Sequence, residues 1–101
     1  MLATELKTIH AQAYGSLIRR LKEGREQAGI TQTMLAAHFG RPQSFVSKYE
    51  THERLLDPIE YLEIALAIGV DPYHLLKECE KYLSGRAVKA VASAAKKKGR
   101  R

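Results

Sequence analysis

The sequence predicts an all-α fold, a compact domain of about five helices. Apolar residues recur at the three- and four-residue spacing of helices through most of residues 16–83. Two aspartate–proline pairs, at 57–58 and 71–72, are typical of helix starts, and a glycine follows each of three predicted helices. The 101 residues suffice for one domain with a modest core.

The N-terminal part of the chain leaves two alternatives open. Residues 1–15 have apolar residues at helical spacing but no capping residue, so they are either an arm or a short helix. The first amphipathic helix is predicted for about residues 16–28, and Gly29 ends it. Its apolar face consists of Leu17, Ile18, Leu21 and Ala28. The predicted domain extends over residues 16–84.

Two short helices and a tight turn are predicted for residues 31–50. Thr31 can accept a hydrogen bond from a free N–H at a helix start, so the first helix covers about residues 31–39. Gly40 tolerates the left-handed conformation of a sharp turn. Pro42 suits the beginning of a following helix over residues 43–50. This arrangement is a helix-turn-helix.

The second of these helices separates polar from apolar residues. At about 100° per residue, polar side chains without any acid share a sector of roughly 140°: Gln43, Ser44, Ser47 and Lys48. The other side is apolar and is expected to pack into the core: Phe45, Val46 and Tyr49. Such polar side chains can reach base edges and phosphates in a DNA major groove, although an ordinary solvated helix face is equally polar.

Two further helices complete the predicted domain. One is predicted for residues 58–69 after a capping Asp57, and the other for residues 72–83 after Asp71. The residues expected to turn inward in the first of them are Ile59, Leu62, Ala65 and Leu66. The acids expected on its solvated face are Glu60 and Glu63.

The net charge of +6 is unevenly distributed along the chain. Residues 1–54 carry eight basic and five acidic residues, whereas residues 55–83 carry two basic and six acidic ones. The remaining residues, 84–101, carry seven basic residues and no acid. This pattern is typical of a protein with one DNA-facing and one DNA-distal end. Residues 85–101 contain little bulky apolar surface and are predicted to form a disordered basic tail.

Catalytic and metal-binding chemistry is not indicated. The single cysteine, Cys79, excludes an internal disulfide, and the four histidines lack the spacing of metal ligands. We expect no cofactor, no metal site and no enzymatic activity. No signal peptide or long apolar span is present in the sequence, so we expect a cytoplasmic protein with no membrane partner.

The helix-turn-helix resembles the Cro/repressor-type (Xre-type) family position by position. That pattern has a glutamine opening the first helix, a small residue at the helix crossing, a glycine in the turn, and two apolar positions in the second helix. The corresponding residues are Gln32, Ala36, Gly40, Val46 and Tyr49. The resemblance covers about residues 14–83 and implies a lambda-repressor-like fold.

The resemblance also implies roles for individual residues. The helix over residues 43–50 would be the recognition helix in the major groove, where bases or nearby phosphates would be contacted by Gln43, Ser44, Ser47 and Lys48. The DNA backbone would be contacted by Gln32, Arg41 and Arg54, while Arg20 is either a phosphate contact or a solvated cation. A structural ion pair is implied between Arg25 and Glu50, the alternative being two unrelated surface charges.

We therefore expect a sequence-specific transcriptional regulator that binds double-stranded DNA as a homodimer, since one short helix reads few base pairs. Dimer contacts, or equally core positions, are expected for Leu2, Leu6, Leu76 and Leu83. Two alternatives share the fold. One is an antitoxin whose partner is a toxin, which a neighbouring toxin gene would indicate. The other is a protein-interaction module without DNA binding, which a gel shift would distinguish.

Overall fold

The computed structural model describes residues 2–84, and the side chains of residues 7–84. This part of the chain contains five helices and no strand. The helices are α1 (Leu2–Gln27), α2 (Gln32–His38), α3 (Gln43–Glu50), α4 (Pro58–Ile68) and α5 (Pro72–Leu83). The predicted all-α, five-helix class is confirmed. The basic tail, residues 85–101, and the side chains of Leu2 and Leu6 lie outside the described residues.

The first helix is longer than predicted. It was expected to begin near Ser16, but α1 is continuous from Leu2, so residues 2–15 form its first half. Tertiary contacts support this half: Ala13 is buried, and its carbonyl accepts a hydrogen bond from the Cys79 thiol on α5 at 3.3 Å. The Tyr14 hydroxyl accepts a hydrogen bond from the Leu56 N–H at 3.1 Å. Packing against distant segments therefore extends a helix whose start carries no local signal.

The ends of the other helices follow local signals. The Thr31 hydroxyl accepts a hydrogen bond from the Met34 N–H at 3.0 Å, and Thr31 is the N-cap of α2. Gly40 lies in the left-handed region, with φ of 65°, and Pro42 is the N-cap of α3. Asp57 caps α4 through the Glu60 N–H at 2.7 Å. The predicted limits of α3 and α4 therefore agree with the structure to within one residue.

The core lies where α1, α3 and α4 meet. Its fully buried side chains are Ile18, Leu21, Val46, Tyr49 and Ile64. The α1 helix packs along α5, and α2 packs against α3. The buried face of α3 is thereby held by the whole domain, which leaves the opposite face of α3 free for contacts. No helix among residues 2–84 is long and apolar enough to cross a membrane.

The inward face of α4 differs from the prediction. Ile59 and Leu66 were expected inside but are 64% and 70% exposed, whereas Tyr61, Ile64 and Ile68 are buried. Residues are apolar around most of this helix, so their spacing does not define one face. Contact with α5 defines it instead, because the Tyr61 hydroxyl donates to the carbonyl of Pro72 at 2.6 Å. Of the four residues expected inside, Ala65 is buried and Leu62 half-buried.

Candidate nucleic-acid interface

The exposed face of α3 carries the four residues that the sequence singled out. Gln43, Ser44 and Lys48 are exposed, and Ser47 is half-buried. The other side of the helix is buried and consists of Phe45, Val46 and Tyr49. Because no acid lies among the four polar residues, a phosphate or base edge approaching this face meets hydrogen-bonding groups and one cation.

A chain of hydrogen bonds links this face to the interior. The Arg25 guanidinium donates to both carboxylate oxygens of Glu50, at 2.7 and 3.1 Å. The Gln32 amide nitrogen donates to Glu50 Oε1 at 2.8 Å, and Gln32 Oε1 accepts from the Gln43 amide nitrogen at 2.6 Å. The four side chains form one network that extends from α1 through α2 to the exposed start of α3. The orientation of Gln43 is therefore set by a buried ion pair.

The ion pair itself is almost completely shielded from solvent. The side chains of Arg25 and Glu50 are 8% and 2% exposed. Arg25 also donates to the carbonyl of Ile30 at 2.7 Å, which satisfies a backbone acceptor just after α1. The hydrogen bond from Glu50 raises the pKa of Arg25 above its ordinary value, against the opposing effect of burial. The resemblance alone had paired these residues; in the structure they hold α1 against the end of α3.

Gln32 bridges the ion pair and the reading face. Its amide donates to Glu50 and its carbonyl oxygen accepts from Gln43, so both ends of the carboxamide are engaged. Gln32 is half-buried, and one of its two amide protons remains for an outside acceptor. This position is compatible with the backbone contact implied for Gln32, while adding a second role, that of orienting Gln43.

Two arginines enclose the ends of α3. Arg41, just before the helix, and Arg54, just after it, lie with their guanidinium carbons 4.3 and 4.9 Å from the centre of the Phe45 ring. Arg54 donates to both carboxylate oxygens of Glu60, at 2.9 and 2.7 Å. Arg41 forms a longer ion pair with Glu60 at 3.5 Å. The two arginines implied as backbone contacts thus share one aromatic ring and one carboxylate.

Glu60 was expected on a solvated face, and that prediction is wrong. Its side chain is only 12% exposed, because Arg54 and Arg41 cover it, whereas Glu63 is exposed as expected. Hydrogen bonding from Arg54 lowers the pKa of Glu60 to about 2, against the opposing effect of burial. The sequence offered one signal for Glu60, its position three residues after Asp57 in a capping box, where it accepts from the Asp57 N–H. The roles of Phe45 and Glu60 in holding the arginines carried no such signal.

Arg20 lies in a different group of charges. It donates to both oxygens of Glu78 on α5, at 2.9 and 3.4 Å, and to Glu23 at 3.4 Å. His74 also contacts Glu78, at 3.1 Å. The structure therefore places Arg20 among carboxylates that link α1 to α5, rather than with the network of Gln43 or the arginines around Phe45. Among the described residues, no group of three or more His, Cys, Asp or Glu side chains could hold a metal ion.

Comparisons with known proteins agree with this architecture. The sequence model of a family described as Helix-turn-helix matches residues 21–75, which include α2, α3 and α4. Among solved structures, the chain is similar to an XRE-family like protein from Pseudomonas syringae pv. tomato str. DC3000, with 52% sequence identity and a TM-score of 0.72. That similarity covers 78% of this chain and 96% of the other. No curated protein matches the chain.

Proposed function

Because the chain belongs to the Xre-type helix-turn-helix family, we propose that it is a transcriptional regulator that binds double-stranded DNA in a sequence-specific way. The observation that carries the proposal is the exposed, acid-free face of α3, whose Gln43 is oriented by a buried ion pair through Gln32. A side chain held in one orientation loses less conformational entropy when it binds a base edge.

In this proposal α3 enters the major groove. Bases or nearby phosphates are contacted by Gln43, Ser44, Ser47 and Lys48, since glutamine can bind adenine through two hydrogen bonds and serine can bind several base edges. Phosphates are contacted by Gln32, Arg41 and Arg54. The exposure of Arg41 and Arg54, 43% and 36% of their side chains, supports this role.

The protein acts on DNA as a two-fold symmetric homodimer, which doubles the number of base pairs read. Leu76 and Leu83 of α5 support a dimer contact on that helix, because their side chains are 44% and 37% exposed. A footprint that lacks an inverted repeat, together with one protomer per duplex at saturation, would contradict the dimer.

Selection of bound duplexes from a random-sequence pool tests the proposed function. The selected duplex and a mixed-sequence duplex are then titrated with wild type, Gln43→Ala and Gln12→Ala. Gln43→Ala should lose about 1–3 kcal/mol of preference for the selected duplex. Gln12→Ala removes an exposed glutamine of α1 and should leave the preference unchanged.

Each other outcome has a definite meaning. A pool from which no sequence is enriched would refute sequence-specific binding and favour a protein-interaction module. Equal losses of Gln43→Ala on the selected and mixed duplexes would show that the reading face lies elsewhere.

A further inference from the structure

The two arginines around α3 depend on one acid for their position. Glu60 accepts two hydrogen bonds from Arg54, lies 3.5 Å from Arg41, and belongs to α4. Phe45 supports both guanidiniums from the other side. Long arginine side chains lose much rotamer freedom when they are held in place. Here that cost is met within the folded protein before any ligand arrives.

The hydrogen bonds of Arg54 leave part of its guanidinium available. Its Nη1 donates to Glu60 and to the carbonyl of Leu55, at 2.9 and 3.2 Å, and its Nη2 donates once, to Glu60. The Nε proton and the second Nη2 proton have no hydrogen-bond partner among residues 7–84. These two protons lie on one edge of the planar group, the edge that can bind phosphate through two parallel hydrogen bonds. Arg54 can therefore bind Glu60 and a phosphate at the same time.

We infer that Glu60 is a positioning residue for DNA binding, which holds Arg54 and Arg41 so that their free N–H groups bind backbone phosphates on both sides of the recognition helix. The inference rests on the proposed function and adds a residue that does not itself contact DNA. It also reverses the simplest electrostatic expectation. Removal of a negative charge beside a DNA-binding surface should strengthen binding by Coulomb attraction alone. Removal of a side chain that positions the arginines should weaken it.

Salt titrations of the Glu60→Gln variant separate the two effects. Glutamine keeps an oxygen that can accept from the Asp57 N–H, so the start of α4 is preserved. Positioning predicts about tenfold weaker binding to a short mixed-sequence duplex at low salt, the size of one charge-assisted hydrogen bond. It also predicts that the slope of log K against log salt flattens by about 0.9 for each phosphate that the variant no longer binds. Coulomb repulsion alone predicts the opposite in both measurements, tighter binding and no flattening, and would overturn the inference.

The control is Glu63→Gln. It removes the same charge from the same helix at an exposed residue for which the structure shows no ion pair with an arginine. Its binding should equal that of wild type or be slightly tighter. An equal loss of affinity in Glu60→Gln and Glu63→Gln would overturn the inference, because position relative to the arginines would not matter.

Arg54→Lys provides a second, independent measurement with Glu60 intact. Lysine keeps the charge but lacks the planar fork that joins Glu60 to a phosphate. Arg54→Lys should weaken binding to a similar degree, and adding Glu60→Gln to it should cause little further loss. Additive losses would overturn the inference. Wild type that binds neither a selected nor a mixed-sequence duplex would instead refute the proposed DNA binding. Wild-type binding together with unchanged or tighter binding by Glu60→Gln would refute the positioning role alone.

Discussion

At the scale of single residues, the candidate interface is built from buried charges outward. Gln43 lies at the exposed end of a hydrogen-bonded chain whose other end, Arg25, is almost inaccessible to solvent. A buried charge is tolerated only when its partner and its remaining donors are satisfied. Arg25 meets this condition through Glu50 and the carbonyl of Ile30. The same hydrogen bonds that make the pair stable therefore orient a residue of the proposed reading face.

Removal of either partner of the buried pair should destabilise the fold. Arg25→Ala and Glu50→Ala each leave an uncompensated charge, which costs up to about 3–5 kcal/mol in unfolding free energy. Urea denaturation followed by circular dichroism measures this loss. Glu26→Ala is the control, because Glu26 is 55% exposed and lies 3.9 Å from Arg25, so its loss should be small. Unchanged midpoints for both Arg25→Ala and Glu50→Ala would contradict the structural role.

The stabilising effect of Glu60 should depend on pH. Its pKa in the folded protein, about 2, lies below the value of 4.5 for a free side chain, so Glu60 stabilises the fold fully at pH above about 5. This contribution is lost as the pH falls from about 4.5 towards 2. The difference in urea midpoint between wild type and Glu60→Gln should accordingly shrink over this range. Glu63→Gln should differ little from wild type throughout, and a constant gap for Glu60→Gln would contradict the assignment.

At the scale of elements, α1 is the helix against which the other helices are arranged. It contacts α3, α4 and α5, and two of its glycines face these neighbours at very different distances. A Cβ at Gly15 would lie 3.6 Å from His52 Cε1, an ordinary contact. A Cβ at Gly24 would lie 2.6 Å from Val70 Cγ1, where no atom fits. Close approach to the segment between α4 and α5 thus requires glycine at one position and not at the other.

The same substitution at these two glycines should have opposite effects. Gly15→Ala should stabilise by about 0.5–1 kcal/mol, the usual gain of alanine over glycine within a helix. Gly24→Ala should destabilise, because overpacking costs about 1–3 kcal/mol and exceeds that gain. Val70 is branched at Cβ and cannot easily turn its methyl group aside. Thermal melts of the two variants check the signs, and stabilisation by Gly24→Ala would contradict the close packing.

At the scale of the whole molecule, the charge pattern of the sequence is only partly preserved in space. The acid-rich residues 55–83 supply Glu60 and Glu78, which pair with Arg54 and Arg20 of the basic half. These pairs neutralise cations that a count along the chain assigns to a DNA-facing end. The exposed face of α3 and the basic tail retain charges without this compensation, so we expect them to dominate the long-range attraction to DNA.

The tail should add affinity without adding specificity. Residues 84–101 carry seven basic residues, no acid and no aromatic residue, so they can displace counterions from phosphates but cannot stack on bases. A chain that ends at Gly85 should show a flatter slope of log K against log salt, by several units at about 0.9 per phosphate bound. Preference for a selected duplex over a mixed one should be kept or improved. Identical slopes for full-length and shortened protein would show that the tail does not contact DNA.

The sequence by itself determined the features that depend on neighbouring residues. Thr31, Gly40 and Asp57 end or begin helices through contacts within a few residues, so their positions could be predicted from local patterns. The amphipathic pattern of α3 likewise predicted which of its faces is buried, because that helix has a clear apolar side. For the same reason the exposed residues of the candidate interface could be named in advance.

Only the tertiary structure decided the features that join distant segments. The extent of α1, the buried face of α4 and the pairing of Glu60 with Arg54 and Arg41 depend on which elements meet in space. The link from Gln43 to Arg25 crosses three helices, and the geometry of its side chains has no expression in local spacing. Hydrogen bonds and packing act over a few ångströms whatever the separation along the chain, so such contacts are defined only once the helices have come together.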